Sequence, residues 1–469
     1  MLLAHLKLCT EENWLWYYQA QNNDAITIKP QNISQQLYQL TLRHLENILI
    51  IKKSSDRKIK IVIAAADPIQ FLATLIAAIT AQVDIFLANP NWQAKEWQEA
   101  LNIIKPDAIF RDRSIDNLVE KVAITSNIVN IDRQSLIMIP TGGTSGKIKF
   151  AIHNWSTLTA SVRGFQAYFD CDKINCFCSL PLYHVSGLMQ FVRSFITQGK
   201  LIICPYSLIK NQQINPQYTD CFISLVPTQL NQIIQQSPDW LKQFKTILIG
   251  GAPAERSLLN LAREYHLPLA ISYGMTETAS QIVTLKPHDF LAGNDSSGQV
   301  LPHAKIEIEP NNDFVADQPI GIIKIESNSL FLGYYPDLNK GKQQFITDDL
   351  GYIDCAGYVY IIGRNSHKII TGGENVFPRE VEAVILATKL VKEVCIIGVE
   401  NKYWGQTVTA IYVPLESNPD INIIKTQIKS QLAKYKQPKN WIKLNKLPRN
   451  PQGKINYQKL QAIARANNR

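Results

Sequence analysis

Residues 137–150, IMIPTGGTSGKIKF, run from an apolar stretch into glycines, hydroxyl side chains and lysines. Glycines let the backbone approach a ligand closely, hydroxyls add hydrogen-bond donors and a lysine adds positive charge, so the segment suits phosphate oxygens. It is not a Walker A motif, because Ile148 follows Lys147 where Ser or Thr is needed and Thr141 replaces the first glycine. The alternative interpretation is a flexible surface turn. The candidate phosphate-binding residues are Thr141, Gly142, Gly143, Thr144, Ser145, Gly146 and Lys149.

A second polar cluster, ISYGMTETASQ at residues 271–281, continues from an apolar run. Polar groups that follow a strand of an open α/β sheet line the crevice in which such sheets bind ligands. Tyr273 can stack on a purine ring, Thr276 can hydrogen-bond a phosphate or carboxylate, and Glu277 can bind Mg²⁺ through oxygen. The alternative interpretation is a helix start at which Thr276 and Glu277 cap backbone N–H groups.

Two further segments carry charged side chains at turns. In TDDLGYID, residues 347–354, the Asp349 carboxylate can accept both hydroxyls of a ribose, and the guanidinium of Arg364 can reach a phosphate. Taken alone, an Asp-rich turn is the simpler interpretation.

In LPRNPQGKINYQKL, residues 447–460, a Pro/Gly loop presents Lys454 just before a helix. This turn distinguishes Lys454 from the many other lysines of the chain and makes it a candidate functional residue.

The elements that must position these residues follow an alternating pattern. Short apolar runs rich in β-branched residues alternate with amphipathic segments of helical length, which indicates α/β layers. The pattern changes near Gly363, after which we expect new strands, a helix from about Pro378 and a helix near 422–435. A chain of 469 residues is longer than one core usually supports, so we expect at least two domains. The predicted units are a large domain at 1–363, a hinge at 364–367 and a small domain at 368–469.

Composition narrows the class of protein. The longest apolar stretch, residues 61–88, contains Asp67 and Asp84. Each charge in a lipid-facing helix costs about 2.5 kcal/mol or more, so a buried strand, helix and strand is the better interpretation than a membrane span. The eight cysteines include no CxxC pair, which argues against a disulfide or metal framework. The amino terminus lacks a secretory signal, so we expect reduced thiols and a cytoplasmic location.

The net charge of +9 is concentrated at the end of the chain. Residues 401–469 contain ten Lys and three Arg but only Glu416 and Asp420 as acids, so this segment is more positive than the whole chain. Such a surface can meet nucleic acid, an anionic membrane or a polyphosphate ligand. The alternative is a solvated lysine surface without a partner.

The four motif segments, in this order, resemble the signature motifs of the adenylate-forming superfamily of acyl-CoA ligases, peptide-synthetase adenylation domains and luciferases. The resemblance covers about residues 61–460. It implies an α/β fold with a large N-terminal adenylation domain, built from layered α/β sheets and a small β-rich part. A small α+β C-terminal domain on a hinge is expected to follow. It also implies ATP, Mg²⁺ and coenzyme A as ligands, and it makes nucleic acid unnecessary as a partner.

The resemblance assigns roles residue by residue. Thr141 to Lys149 would wrap the β- and γ-phosphates, and Glu277 would hold the metal. The implied ATP-binding residues beyond the phosphate loop are Gly251, Ala252, Tyr273, Gly274, Thr276, Asp349 and Arg364. The implied catalytic residues are Lys454, Thr276, Glu277, His184 and Arg364, with the hinge at Ser366 and the thiol tunnel at Gly372 and Gly373.

Three segments are most similar to the branch of this superfamily that joins o-succinylbenzoate to coenzyme A for menaquinone or phylloquinone biosynthesis. They are PLYHVSG (181–187), SLVPTQL (224–230) and SYGMTETASQIVTL (272–285), and IITGGENVFPREVE (369–382) fits this branch too. The implied substrate-binding residues are His184, Ser224, Thr228 and Gly251. For His184, a structural role is the alternative interpretation.

Three other interpretations stay open. An acyl-CoA ligase for another aryl or medium-chain acid would share every catalytic residue. An amino-acid adenylating module is disfavoured because PLYHVSG lacks an aspartate to bind an amino group. A nucleotide-binding regulatory protein is disfavoured because Lys454 and Glu277 are intact. The chain departs from the superfamily pattern at Gly142, Ile148, Asp348 and Ser366, where Ser, Pro, Gly and Asp are respectively common.

Overall fold

The computed structural model describes residues 2–12, 14–21, 25–28, 33–53, 57–112, 115–117, 134–142, 148–210, 218–310, 320–338, 344–415, 420–449 and 455–467. The described helices are α1 Leu2–Thr10, α2 Ile33–Lys53, α3 Pro68–Thr80, α4 Ala94–Ile104, α5 Trp155–Phe169, α6 Val185–Thr197, α7 Tyr206–Lys210, α8 Pro227–Gln236, α9 Pro238–Leu241, α10 Arg256–Glu264, α11 Pro287–Leu291, α12 Pro378–Ala387, α13 Ile421–Lys429 and α14 Tyr457–Asn467. Short 3₁₀ turns cover Thr276–Thr278, Asn365–His367 and Lys434–Lys436.

The strands are numbered along the chain. The first half are β1 Leu15–Gln21, β2 Ala25–Ile28, β3 Lys60–Ile63, β4 Asp84–Leu87, β5 Ala108–Phe110, β6 Ile115–Asn117, β7 Ile137–Gly142, β8 Ile148–His153, β9 Asn175–Cys178, β10 Leu201–Ile203, β11 Cys221–Leu225 and β12 Thr246–Ile249. The others are β13 Leu269–Met275, β14 Ser280–Thr284, β15 Gln299–Val300, β16 Ala304–Pro310, β17 Gly321–Ser327, β18 Gln344–Ile353, β19 Val359–Arg364, β20 Ile369–Thr371, β21 Glu374–Val376, β22 Val391–Asn401, β23 Gly405–Pro414 and β24 Asn440–Lys443.

The described strands form four sheets. Sheet A has the order β15-β14-β13-β12-β11-β9-β10-β1-β2, and sheet B has the order β6-β5-β3-β4-β7-β8. Sheet C is β16-β17-β18-β19, and sheet D is β21-β20-β23-β22 with β24 paired to β23. The central strands of sheets A and B run parallel, while their edges and all of sheet C are antiparallel.

Sheets A and B enclose a shared layer of helices. Residues of α2, α3, α5 and α6 pack with strand residues of both sheets in one hydrophobic cluster. Successive side chains of β3 point to opposite faces of sheet B. Ile61 and Ile63 therefore pack in this layer, while Val62 packs in a second hydrophobic cluster that includes residues of α4. Strands covered on both faces read as continuous apolar runs, which is the pattern that the sequence shows.

The apolar stretch at 61–88 forms part of this core. It contains strand β3, helix α3 and strand β4, as predicted. Asp67 caps α3, since one of its carboxylate oxygens accepts hydrogen bonds from the backbone N–H groups of Ile69 and Gln70. Within the described ranges, no helix is both long and apolar enough to cross a membrane.

Sheet D and its helices have a hydrophobic core of their own. Residues of α12 and α13 pack on one face of the sheet, and residues of α14 pack on the other. The predicted helix near 422–435 is shorter than expected, because α13 ends at Lys429 and Leu432 then turns into the core with 5% of its surface exposed. The predicted fold class, a large layered α/β unit with a β-rich part and a small α+β unit, is confirmed.

Candidate active site

The predicted phosphate-binding segment is a hairpin of sheet B. Strands β7 and β8 pair antiparallel, with Thr141 opposite Lys149 and Gly142 opposite Ile148. The candidates Gly143, Thr144, Ser145 and Gly146, which come between these strands in the sequence, lie outside the described residues. Lys149 is exposed, and its Nζ lies 5.3 Å from the centre of the Tyr334 ring, a cation–π distance. The base of the hairpin therefore presents a positive charge beside an aromatic ring.

Tyr334 joins this lysine to the candidate metal ligand. Its hydroxyl donates a 2.6 Å hydrogen bond to Oε1 of Glu277, which lies in the 3₁₀ turn after β13 and is only 9% exposed. Burial and the neighbouring carboxylate raise the pKa of Tyr334 well above its usual value, so the phenol stays a donor. The segment around Tyr334 reaches this place by pairing with β8, since Leu332 and Tyr335 donate to the carbonyls of Ile152 and Phe150.

Glu277 suits Mg²⁺. A buried carboxylate beside the lysine-bearing hairpin is a hard oxygen donor next to the expected phosphates. The described part of the chain contains no group of three or more His, Cys, Asp or Glu that could hold a metal ion. A site with one protein carboxylate, completed by phosphate oxygens and water, is the type that Mg²⁺ commonly uses.

A buried histidine fixes the turn that carries Thr276 and Glu277. His153, at the end of β8, places Nε2 2.8 Å from the carbonyl oxygen of Thr276 and Nδ1 2.9 Å from Oγ1 of Thr157. Burial lowers the pKa of His153 to about 4, so the ring is neutral. Nε2 must therefore donate to the carbonyl, and Nδ1 accepts from the threonine hydroxyl. This contact holds the turn against the end of β8.

Three predicted nucleotide-binding residues meet at a second point. The hydroxyl of Tyr273 donates a 2.7 Å hydrogen bond to Oδ2 of Asp349, and Nε of Arg364 lies 3.4 Å from Oδ1 of the same carboxylate. Asp349 and Arg364 face each other on β18 and β19. Burial, with Asp349 beside it, raises the pKa of Tyr273. The structure brings these three residues together, while their roles toward ribose, adenine and phosphate stay predictions.

Glycines at the carboxyl edge of sheet A allow close backbone approach. Gly251 follows β12 with φ of 78°, a left-handed conformation that favours glycine, and Ala252 beside it is exposed. A Cβ on Gly274 of β13 would lie 2.2 Å from the carbonyl oxygen of Ser280. Because β12 and β13 are parallel neighbours, these residues share the sheet edge with Tyr273.

The predicted acyl-binding residues lie on the same edge of sheet A. Ser224 is half-buried near the end of β11, and Thr228 is exposed in the first turn of α8. A Cβ on Gly251 would lie 3.6 Å from Cγ1 of Val226, so Gly251 lies next to the connection between Ser224 and Thr228. His184 precedes α6, and its ring centre lies 4.6 Å from that of Tyr183.

The small unit supplies the remaining predicted residues. Gly372 and Gly373 have φ of 60° and 86°, and Gly372 N–H donates to the carbonyl of Trp404, whose ring a Cβ on Gly372 would approach to 2.9 Å. Lys454 lies outside the described residues. The base of its loop is described: Arg449 bridges Ile455 and places Nη2 3.1 Å from Oε2 of Glu393.

Sequence reasoning missed Tyr334, His153 and Trp404. Tyr334 lies 57 positions from Glu277, and His153 lies 123 positions from Thr276. Such contacts come from sheet pairing, and no local spacing in the sequence signals them. For Trp404, the signal in the sequence is the aromatic pair of Tyr403 and Trp404 directly before Gly405.

Two family models match the chain. The model of the AMP-binding enzyme matches residues 43–335, and the model of the AMP-binding enzyme C-terminal domain matches residues 380–454. The chain belongs to the AMP-binding enzyme family. The 2-succinylbenzoate–CoA ligase of Bacillus subtilis (strain 168) is 30% identical to this family member over 382 residues, covering 79% of this chain and 76% of that protein. With the family, such relatives identify this protein as an acyl-CoA ligase.

Solved structures share the fold of this family member. The o-succinylbenzoate CoA synthetase of Bacillus subtilis with the acyl-adenylate OSB-AMP matches with a TM-score of 0.80 and 25% identity, over 98% of this chain and 97% of that one. A double mutant of that enzyme with the product analogue OSB-NCoA matches with a TM-score of 0.63 and 25% identity, over 98% of both chains. Because the two matches cover nearly the same share of each chain, the difference between their TM-scores reflects how well the whole chains superpose.

Proposed function

We propose that this family member joins o-succinylbenzoate to coenzyme A through an acyl-adenylate, with release of diphosphate and AMP. The observation that carries the proposal is the similarity to the 2-succinylbenzoate–CoA ligase of Bacillus subtilis over 79% of the chain. The match to its structure with bound OSB-AMP supports the same substrate. The product would serve menaquinone or phylloquinone biosynthesis.

In the first half-reaction, a carboxylate oxygen of the acid bonds to the α-phosphorus of ATP while the bond to the leaving diphosphate breaks. Both reactants are anions, so catalysis depends on neutralised charge and alignment, each worth several kcal/mol. Lys149 and the hairpin loop would hold the β- and γ-phosphates, and Lys454 would bridge the attacking carboxylate and the α-phosphate. Glu277 would hold Mg²⁺, which supplies positive charge beside the phosphates when bound.

The nucleoside would lie between the two contact points of the site. Asp349 would accept the ribose hydroxyls, and Arg364 beside it would contact the nucleotide phosphate. Gly251, Ala252 and Tyr273 would frame the adenine, with Gly274 behind them. The hydrogen bond from Tyr273 to Asp349 keeps that carboxylate oriented before ATP arrives.

The acid would bind along the carboxyl edge of sheet A. His184 would orient the aryl group or gate access to the carboxylate that reacts, and Ser224 and Thr228 would hydrogen-bond the second carboxylate. Gly251 would lie between acid and nucleotide, where the lack of a side chain leaves room.

In the second half-reaction, the thiol of coenzyme A loses its proton and forms a C–S bond, while the C–O bond to AMP breaks. Lys454 must leave before the thiol can approach, so the small domain would rotate about Ser366. Gly372 and Gly373 would then border the thiol path. The excess of Lys and Arg in 401–469 suits the phosphates of coenzyme A.

A diphosphate-release assay with a panel of carboxylic acids tests the substrate. We expect turnover with o-succinylbenzoate and coenzyme A, and little with benzoate or medium-chain fatty acids. If those acids are turned over and o-succinylbenzoate is not, the substrate assignment is wrong while the reaction class stands.

A further inference from the structure

The segment between sheets C and D is held by a carboxylate that the proposed mechanism does not use. Oδ1 of Asp348 accepts a 3.0 Å hydrogen bond from the backbone N–H of Ser366, and Oδ2 accepts a 2.5 Å hydrogen bond from the Ser366 hydroxyl. Asp348 lies on β18, in sheet C, whereas Ser366 lies in the 3₁₀ turn that leads to sheet D. One side chain of the large unit therefore binds the predicted hinge residue at two atoms.

We propose that Asp348 is a positioning residue that holds the hinge in the adenylate-forming arrangement and must release Ser366 before thioester formation. This inference rests on the proposed function, because it assigns Asp348 a part in the alternation between the two half-reactions. We call the Asp348–Ser366 pair the hinge clamp.

Neighbouring contacts show that the hinge clamp acts where sheet C ends. Asp349 faces Arg364, the last residue of β19, and the chain leaves the sheet immediately afterwards. Successive side chains of a strand point to opposite faces, so Asp348 and Asp349 contact the chain that leaves the sheet from different sides. Asp348 can therefore set the direction that the chain takes after Arg364.

The two hydrogen bonds restrict the backbone of Ser366. Asp348 fixes the direction of the Ser366 N–H, and rotation about the N–Cα bond swings Cβ and Oγ away from the carboxylate. A large change in φ at this residue therefore breaks the hydrogen bond to Oγ. Rotation of everything that follows the hinge must overcome a charge-assisted interaction, which is stronger than a neutral hydrogen bond.

The next residue carries the constraint into the small unit. The ring centre of His367 lies 4.2 Å from that of Tyr457, the first residue of α14. Tyr457 is three positions after Lys454 and two after Ile455, which bridges Arg449 at the base of the lysine loop. The hinge turn thus contacts sheet C through Ser366 and the helix behind the lysine loop through His367.

Two observations associate this arrangement with adenylate formation. The chain superposes better on the relative with bound OSB-AMP than on the double mutant with bound OSB-NCoA, with TM-scores of 0.80 and 0.63. In addition, Glu255 of the large unit is close enough to Glu393 and Arg449 for them to influence its pKa, which is raised chiefly by burial and then by Glu393. The base of the Lys454 loop therefore lies beside the large unit.

Single-turnover kinetics of the two half-reactions test the hinge clamp. We expect Asp348→Ala to slow adenylate formation about three- to tenfold, a range set by a charge-assisted hydrogen bond discounted for exposure. Thioester formation from supplied acyl-adenylate and coenzyme A should be unchanged or faster. Ser366→Ala should shift both rates in the same directions, and the double variant should add little to Asp348→Ala. Glu307→Ala, which removes an exposed carboxylate from the same sheet, is the matched control.

Limited trypsin digestion gives a readout that does not depend on the substrate. Arg364 and Lys368 flank the hinge, and we expect Asp348→Ala to speed cleavage there about three- to tenfold relative to Glu307→Ala, with fragments identified by mass spectrometry. Unchanged cleavage, an equal loss of both half-reactions, or additive effects of Asp348→Ala and Ser366→Ala would overturn the proposal. A wrong acid assignment would leave the digestion result intact, so the two failures can be told apart.

Discussion

Tyr334 connects Lys149 of β8 with Glu277, the candidate metal ligand. We expect Tyr334→Phe to lower the rate of adenylate formation about tenfold, because Glu277 loses a hydrogen bond worth roughly 1–2 kcal/mol and its orientation toward the metal loosens. Diphosphate release measured over a range of Mg²⁺ concentrations should show a weaker apparent affinity for the metal.

The neighbouring tyrosine provides the control. The ring of Tyr335 packs edge-on against Phe86 in the core, with ring centres 4.9 Å apart. Tyr335→Phe keeps this packing and should retain the activity and the Mg²⁺ dependence of the wild type. If Tyr334→Phe behaves in the same way, the hydroxyl of Tyr334 does not orient Glu277.

His153 should make the stability of the protein depend on pH. Burial lowers its pKa from 6.5 to about 4, so the unfolded chain binds a proton that the folded protein excludes. This contribution is present in full above pH 6.5 and is lost as the pH falls toward 4, amounting to about 3 kcal/mol. Urea unfolding at pH 7 and pH 4.5 should show a smaller loss for His153→Gln than for the wild type. His288→Gln, at a largely exposed ring, should keep the wild-type loss.

The individual residues show how far sequence reasoning reaches. Asp349, Arg364 and Tyr273 were each predicted from local motifs, and the structure places them in contact. Asp348 and Ser366 stood out as unrelated departures from the superfamily pattern. In the structure they hydrogen-bond each other, a pairing that depends on the course of two strands and a turn and so is absent from any one motif.

At the scale of elements, the close approach of β13 and β14 sets the turn that carries Thr276 and Glu277. A Cβ on Gly274 would lie 2.2 Å from the carbonyl oxygen of Ser280, so Gly274→Ala must push the strands apart. We expect a cost of about 1–3 kcal/mol in the free energy of unfolding, the usual range for overpacking, and a lower rate of diphosphate release.

Gly363 offers a matched substitution. It also lies in a strand, but a Cβ there would have nothing within 4 Å. Gly363→Ala should change stability by less than about 0.5 kcal/mol in the same urea unfolding measurement. Equal effects of the two substitutions would show that the close approach at Gly274 does not constrain the turn.

The elements themselves were largely predictable where apolar runs are long. The strand, helix and strand at 61–88 and the helix from Pro378 are present as expected. The helix near 422–435 was predicted too long, because periodicity continues while the chain already turns to bury Leu432. The order of the strands within each sheet could not be predicted from the sequence. In sheet A, for example, β9 lies between β10 and β11, because packing between layers decides which strands become neighbours.

At the scale of the whole molecule, charge and architecture are divided between two units. Residues 401–469, which include Lys454, are more positive than the whole chain, so the rest of the chain has a slight excess of acidic residues. That unit has its own sheet and core. A body with a separate core can move without unfolding, so one lysine can serve one step and withdraw for the next.

Lys454 therefore provides the sharpest test of this division of work. We expect Lys454→Ala to reduce adenylate formation by at least a hundredfold, because a positive charge next to two anions is removed from the transition state. The same variant should convert supplied acyl-adenylate and coenzyme A to thioester at close to the wild-type rate, since in the proposed mechanism the lysine leaves the site before that step. Lys446→Ala removes an equal charge from an exposed position of the same unit and should form adenylate normally. An equal loss of both half-reactions in Lys454→Ala would mean that the lysine stays in the site throughout the reaction, and the small unit would then have no reason to rotate.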